Sequence, residues 1–384
     1  MKHHLYHFAL CFLSLLGLWQ CTPAEKPTEQ QAGGDSLPSV DIRYAHFQIE
    51  SVDSQTYLLS IGDSSAGQER LRYVLSYRTQ VPAAYRELPF IQLPLQHIGV
   101  RSTTHIGFLR ALGVAQPPFL SAIPDTAYVF DASLRQMAAE GKLFILQDEA
   151  LPLEAVAQHC QLLLVSAPLK AAEKEKLARL GVHSIPILEW METHPLAQAE
   201  WIKLFGVLSG KLSKAQQYFE QTAQAYQHLR DSVARHLAPN ERPLVITGLP
   251  FRGQWYVAGG QSFMAQFIQD AGGKYYWQST PQAGSLPVAF EEAYRAGMEA
   301  DVWLHPGQAR SREEIAAADP RLQDFKAWQT GRVYNRTRRL SPAGGNDYWE
   351  QGVVEPHIIL ADMVKALHPY LLPAHRWKYY EQLP

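Results

Sequence analysis

Short apolar runs separated by stretches of helical periodicity recur along most of the chain. Leu58–Ile61, Tyr73–Tyr77, Ile91–Leu95, Ala127–Phe130, Leu143–Leu146 and Leu162–Val165 have the length and composition of strands, and helical patterns over His105–Leu112 and Leu153–His159 fall between them. That alternation predicts strands covered by helices, the plan of an α/β fold. The stretch Arg43–Tyr77 reads as a meander leading in. The second half repeats the plan: a strand over Pro243–Thr247, a turn at Gly248-Leu249-Pro250, and a helix from Ser262 to Ala271 stopped by Gly272-Gly273. A helix over Phe290–Met298 precedes a strand at Val302–Leu304. Ser311 with Glu314 forms a capping box for a short helix ending near Asp319-Pro320, and Val353–Leu367 is a final helix.

Between the halves, Pro195–Leu237 contains no internal proline, and only Gly206 and Gly210 interrupt its helical pattern. Ser213, with Gln216 three residues on, is placed to cap a fresh helix in which Ala215, Phe219, Ala223, Tyr226, Val233 and Leu237 share a face. The span reads as a helical bridge with a break around Gly206–Ser213. The expected architecture is therefore two Rossmann-like α/β lobes, residues 39–191 and 239–384, joined by a long rigid backbone helix within 192–238. A stiff crossover of this kind predicts limited opening and closing; the alternative is a helical subdomain packed on an enzyme.

The first residues add a compartment. Residues 1–20 join a basic start to an apolar run, Leu5–Trp19, which is short for a membrane span and suited to an export signal. Leu18-Trp19-Gln20-Cys21 resembles a lipoprotein processing site, which makes Cys21 the expected lipid anchor. Residues 21–38, rich in Pro, Gly and polar side chains, read as a flexible tether. Cys160, before an aliphatic run, reads as a buried small hydrophobe. The remainder of about 345 residues exceeds the usual size of one core and favours two domains. A net charge of −2 with scattered basic residues gives no support to a nucleic-acid partner.

Candidate ligand groups lie where strands of an α/β sheet end, because crevices open there. Arg101, Thr103, Thr104 and His105 open the first helix, with Thr103 or Thr104 as its cap. Arg252, Trp255 and Tyr256 follow the Pro243–Thr247 strand; the two aromatics either line a crevice or fill the core. Trp303 and His305 end another strand, and Asn346 and Tyr348 lie in a later turn. Arg338, among Lys326, Arg332, Arg336 and Arg339, makes the approach basic, unless that face is merely solvated. No G-x-S-x-G or G-x-G-x-x-G string supports an enzyme, and no H-E-x-x-H or C-x-x-C supports capture of a bare metal ion.

Several phrases, in order, resemble one family. They are Arg101-Ser102-Thr103-Thr104-His105 with Leu112-Gly113-Val114, Leu151-Pro152-Leu153-Glu154-Ala155-Val156, and Glu192-Thr193-His194-Pro195 with Trp201-Ile202. Trp255 to Ser262, Asn346 to Gly352, Leu367-His368-Pro369 and Tyr379-Tyr380 complete the pattern. The chain from Ser39 to Pro384 resembles the class III periplasmic-binding proteins that serve ABC importers of iron-siderophore complexes, haem and cobalamin. The resemblance implies a non-enzymatic monomer, lipid-anchored at the cell membrane and facing the periplasm, that passes its cargo to an inner-membrane permease dimer. It implies Glu154 and Glu291, with Glu292 as a rival, as the acids that dock on the permease. It also implies a bound metal complex in place of a resident cofactor: an iron chelate of the ferric siderophore type, with a corrinoid or haem as alternatives.

Overall fold

Strands β1 (Phe47–Asp53), β2 (Thr56–Ile61) and β3 (Leu71–Ser76) form an antiparallel meander that β4 (Phe90–Gln92) extends in parallel. The computed structural model describes residues 37–62, 70–147, 151–251 and 253–384. Cys21 and Arg252 lie outside those residues. Every side chain of β2 is buried, the mark of a strand covered on both faces.

Strand and helix then alternate through β5 (Ile98–Val100), α1 (Thr103–Leu112), β6 (Leu120–Pro124), α2 (Ala132–Ala139), β7 (Phe144–Leu146), α3 (Leu153–His159), β8 (Leu162–Val165), α4 (Ala171–Arg179) and β9 (His183–Pro186). The sheet order is β7-β6-β5-β8-β9, parallel throughout. The order reverses at β5, so loops leaving its carboxyl end border a crevice. The strand expected at Ala127–Phe130 is instead a turn, and β6 precedes it. Asp125 Oδ1 accepts the Ala127 N–H at 2.8 Å, and the Asp125 carbonyl accepts the Tyr128 N–H at 3.0 Å. These local bonds take the backbone groups that a ladder would need.

The bridge is three helices, α5 (Pro195–Glu200), α6 (Ile202–Leu208) and α7 (Leu212–His236). At the start of α5 the His194 side chain accepts the Leu196 N–H, and Pro195 occupies the first turn, where its missing N–H costs nothing. The break falls at Ser209–Lys211, with Gly210 at φ +66°. The expected cap at Ser213 is not used: α7 begins at Leu212 without a side-chain cap. Close packing of α6 on α7 sets this start, since a Cβ on Gly206 would lie 2.5 Å from the Ala215 Cβ. The 25 residues of α7 span roughly 37 Å, and Ala215, Phe219, Ala223, Tyr226 and Val233 are buried along it.

The second half contains β10 (Leu244–Thr247), β11 (Pro250–Phe251), β12 (Gln254–Ala258), α8 (Phe263–Asp270), β13 (Lys274–Tyr275), β14 (Ser285–Val288), α9 (Phe290–Glu299) and β15 (Val302–Leu304). It continues through α10 (Arg312–Ala318), α11 (Lys326–Gln329), β16 (Val333–Asn335), α12 (Asp347–Glu350), α13 (Pro356–Leu367) and β17 (Glu381–Gln382). Its main sheet runs β13-β10-β15-β16-β17, parallel except for β17, and β11-β12-β14 form a small antiparallel sheet beside it. Ser311 caps α10 by accepting an N–H group, as the sequence predicts, and Ser262 does the same for α8. The α/β fold with a long connecting helix is thus realised. One hydrophobic core joins the parts, from Ile98 and Phe108 through Phe205 and Phe219 to Phe267, Leu304 and Tyr380. Close contact between α1 and α12 ties the late chain to the early half. A Cβ on Gly107 would sit 1.7 Å from the Glu350 carbonyl oxygen, so the two segments meet backbone to backbone.

Candidate ligand-binding cleft

Loops leaving β5 and β6 face loops leaving β15 and β16 across a cavity of about 820 Å³, bordered by Arg101, Tyr128, Arg310, Arg336, Asn346 and Trp349. Ser102, and neither of the threonines expected to do so, caps α1 by accepting the Thr104 N–H; Thr103 and Thr104 line the cavity beside it. On the opposite side Asn335 fixes its loop by donating to the carbonyls of Gly307 (3.3 Å) and Ala309 (2.8 Å). Asn346 donates to the Arg336 carbonyl at 3.0 Å and accepts the Tyr348 N–H at 2.9 Å, which ties the Arg336 loop to α12.

A second cavity of about 610 Å³ adjoins the first, sharing Gly307, Arg336 and Trp349, and its walls include Trp190, Met191, Tyr256, Phe263 and His305. A third, of about 190 Å³, meets the first at Thr104 and Trp349 and the second at Trp190 and Phe263. The exposed large apolar side chains Tyr128, Trp190, Met191, Tyr256 and Trp349 all line this composite cleft. Exposed aromatics gathered in one concavity provide apolar area for a ligand to cover.

Charge in the two larger cavities has one sign among the described residues. Arg101, Arg310 and Arg336 line the first cavity, and among the described residues no Asp or Glu lines it or the second. The ion-paired arginines among the described residues are others: Arg43, Arg78, Arg110, Arg179, Arg230, Arg321 and Arg339. The Arg336 guanidinium lies over Tyr348 at 4.9 Å and Trp349 at 4.3 Å, which holds it in place without neutralising it. His305, buried, has its pKa pushed well below the usual imidazole value, by burial first and by Arg336 second. It stays neutral, with Nε2 bonded to the Tyr380 hydroxyl, and its backbone sits at φ +55°, a left-handed conformation for a non-glycine residue at the cleft.

The structure therefore brings Arg101, Thr103, Thr104, Tyr256, His305 and Asn346 to the cleft, and Tyr348 to its third cavity. It removes four other candidates. Trp255 is core: strand alternation sends Tyr256 outward and Trp255 inward, where its Nε1 donates to the Thr247 carbonyl at 3.2 Å and its ring stacks on Trp303 and Phe325. Trp303 is core as well, donating to the Gly248 carbonyl at 2.8 Å. His105 is fully buried inside α1, its pKa pushed down to about 3 by burial, with neither ring nitrogen partnered among the described residues. Arg338 is exposed and does not border the cavity. The basic approach also thins out, because Lys326 pairs with Asp301, Arg339 pairs with Asp347, and Arg332 donates to the Leu367 carbonyl. Arg310, Tyr128, Trp190, Met191 and Phe263 were not singled out. Arg310 follows β15 by six residues, within the kind of loop that the strand-end rule selects. Among the described residues, no group of three or more His, Cys, Asp or Glu is placed to hold a bare metal ion.

Of the acids tied to docking, Glu154 is exposed in the first turn of α3, 2.6 Å from Lys176. Glu291 is exposed in the first turn of α9, whereas Glu292 accepts the Trp277 indole N–H at 2.7 Å.

Two α/β halves, a long connecting helix and a ligand-sized slot between strand ends define the form of a solute-binding protein. The family model described as periplasmic binding protein matches residues 147–339, just over half of the chain, and the chain belongs to that family. It is similar to two uncharacterised lipoproteins of Methanocaldococcus jannaschii, at 26% identity over 198 residues (50% of this chain, 44% of the relative) and 26% over 205 (52% and 49%). The matched stretch thus spans less than half of those relatives. Among solved structures it is similar to a periplasmic binding protein from Veillonella parvula (TM-score 0.56, 13% identity, 85% of this chain and 99% of that one). A periplasmic haem-binding protein from Pseudomonas aeruginosa gives TM-score 0.53 at 17% identity, covering 72% and 94%. The triscatecholate siderophore-binding protein FeuA from Bacillus subtilis gives 0.51 at 16%, covering 73% and 94%. These likenesses concern the fold.

Proposed function

We propose that this chain is the substrate-binding lipoprotein of an ABC importer, carrying an anionic iron chelate of the ferric siderophore class to an inner-membrane permease. The observation that carries the reading is the set of three arginines, Arg101, Arg310 and Arg336, facing one cavity with no carboxylate lining it among the described residues. Guanidinium groups in a low-dielectric slot are costly to leave unpaired, and a polyanionic ligand relieves that cost through charge-assisted hydrogen bonds. The adjoining aromatics cover the apolar parts of such a chelate. Cobalamin, nearly neutral, would leave the arginines without a role. Haem is the second reading, favoured by a neutral His305 lining the apolar cavity beside the arginines.

In this scheme residues 39–191 and 239–384 are the lobes and 192–238 the strut. Cys21 anchors the chain to the membrane facing the periplasm, and Glu154 and Glu291 dock on the permease. Glu291 is preferred over Glu292, whose carboxylate already holds Trp277. The test is tryptophan-fluorescence titration with an anionic ferric tris-catecholate, a neutral ferric tris-hydroxamate, haemin and cyanocobalamin, on the wild type and Arg336→Ala. Tight 1:1 binding of the anionic chelate, weakened by salt and by about ten-fold or more in Arg336→Ala, is expected. Preference for cyanocobalamin, or indifference to the arginine, overturns the reading; a Soret shift with haemin selects the second one. Charge reversal of Glu154 and Glu291 to Lys is expected to abolish uptake by cells while leaving ligand affinity unchanged.

A further inference from the structure

The third cavity of the cleft differs from the other two in chemistry. Its walls are mainly apolar and aromatic, with Trp190, Phe263, Tyr348 and Trp349 among them, yet it is also lined by Glu189, whose side chain belongs to a residue only 2% exposed. One carboxyl oxygen, Oε1, accepts the Thr104 hydroxyl at 2.5 Å. The Thr104 oxygen lies 2.7 Å from Ser102 Oγ, so Ser102 donates to Thr104 and Thr104 to Glu189. The other oxygen, Oε2, is buried and has no partner among the described residues.

A structural acid that only braced the start of α1 would need one acceptor oxygen. Here the second is left unsatisfied in an aromatic surround, an arrangement that favours a donor carrying positive charge: a carboxyl oxygen accepts its N–H, and ring faces attract the cation. Among the described residues no cationic side chain lines this cavity to fill that role. Burial without a cationic partner also lifts the Glu189 carboxyl to about 7, with Glu192 adding to the rise, so an incoming ammonium would meet a group easily converted to its charged form. Glu192 does not compete for the ligand, since its carboxylate is occupied by His46 and the Trp201 indole N–H.

We propose that this cavity is an amine subsite, in which Glu189 Oε2 and the surrounding aromatic rings receive a protonated amine arm of the cargo. The inference rests on the reading of the cleft as the cargo site and narrows the cargo to a molecule with an anionic part for the arginines and an aminoalkyl part for this corner. The cavity shares Thr104 and Trp349 with the arginine-lined one, so one ligand can occupy both.

The experiment titrates the protein with n-butylammonium, with butan-1-ol and butyrate as controls for shape and charge, and follows the fluorescence of the cleft tryptophans. Saturable binding of n-butylammonium is expected, weakened about ten-fold in Glu189→Gln, which preserves shape and the bond from Thr104, and weakened also in Phe263→Leu, which keeps apolar volume but removes a ring face. An equal response to butan-1-ol, no saturable response, or affinities unchanged in both variants overturns the proposal and leaves Glu189 as a brace for α1. Binding of the anionic ferric tris-catecholate and its dependence on Arg336 are measured on the same samples. They succeed or fail independently of the amine result, so loss of the subsite is distinguishable from loss of the parent reading.

Discussion

Arg110 Nη1 and Glu350 Oε1 lie 3.0 Å apart, although 240 residues separate them in the chain. The Glu350 side chain is fully buried. It also accepts the backbone N–H groups of Phe130 at 2.7 Å and Asp131 at 3.1 Å, at the start of α2. Arg110 simultaneously meets Asp131 at 3.1 Å and Asp347 at 3.6 Å, so one guanidinium faces three carboxylates, of which Asp347 also pairs with Arg339. Burial still lifts Glu350 to about 7.

Removing that guanidinium leaves Glu350 and Asp131 without their cation and Asp347 with Arg339 alone. Arg110→Ala is therefore expected to destabilise the fold by about 3–5 kcal/mol, the usual cost of stranding a buried charge. Chemical denaturation at pH 7.5 measures this, and a loss below about 1 kcal/mol, the range of surface pairs, would show that the cluster is held by something other than Arg110.

Two tryptophans separate packing from binding. Trp255→Ala opens a hole among Phe290, Trp303 and Phe325 and is expected to cost about 3–5 kcal/mol of stability. Trp349, 40% exposed and lining all three cavities, is expected to lower ligand affinity when changed to Ala while shifting stability by less than about 1 kcal/mol. Thermal melts and fluorescence titrations on the two variants check the assignment; the opposite pattern would exchange their roles.

The buried Glu189 carboxyl sets a pH dependence of stability. Its pKa is raised from 4.5 to about 7, mainly by burial, so between those values the folded chain binds more protons than the unfolded chain. Its contribution is present below about 4.5 and is lost as pH rises through about 7. Buried, neutral His105 and His305 act in the opposite sense, losing stability as pH falls through the unfolded imidazole range. The difference between wild type and Glu189→Gln isolates the carboxyl: denaturation at several pH values is expected to show the wild type gaining on the variant as pH falls from about 7 to about 4.5. A difference that does not vary with pH would place the Glu189 titration at its ordinary value.

Much of the fold is legible because the determinants are local. The bridge could be read from a helical stripe broken only around Gly206–Ser213, and all of Ala215, Phe219, Ala223, Tyr226, Val233 and Leu237 are buried on it. Ser311 announces a helix because a hydroxyl at that position satisfies a free N–H. The run at Ala127–Phe130 has strand composition, but Asp125 turns the chain there first. The cleft was less legible, for a geometric reason. Trp255 and Tyr256 are neighbours in sequence and lie on opposite faces of β12; Thr104 and His105 are neighbours on α1, and only the first borders the slot. Which arginine stays unpaired depends on distant acids. Arg339 finds Asp347 and Lys326 finds Asp301, whereas nothing in the local sequence marks Arg310 and Arg336 as lacking such partners among the described residues.

The contact of Glu350 with the start of α2 bears on how the slot could widen. On α12 the residues that grip the early half, Asp347 and Glu350, are interleaved with those that wall the slot, Tyr348 and Trp349. That stretch of wall is bolted to the front of the molecule despite coming from the back of the chain. The grip of Asp347 and Glu350 therefore holds Trp349, and with it the aromatic bed of the Arg336 guanidinium, against the early half.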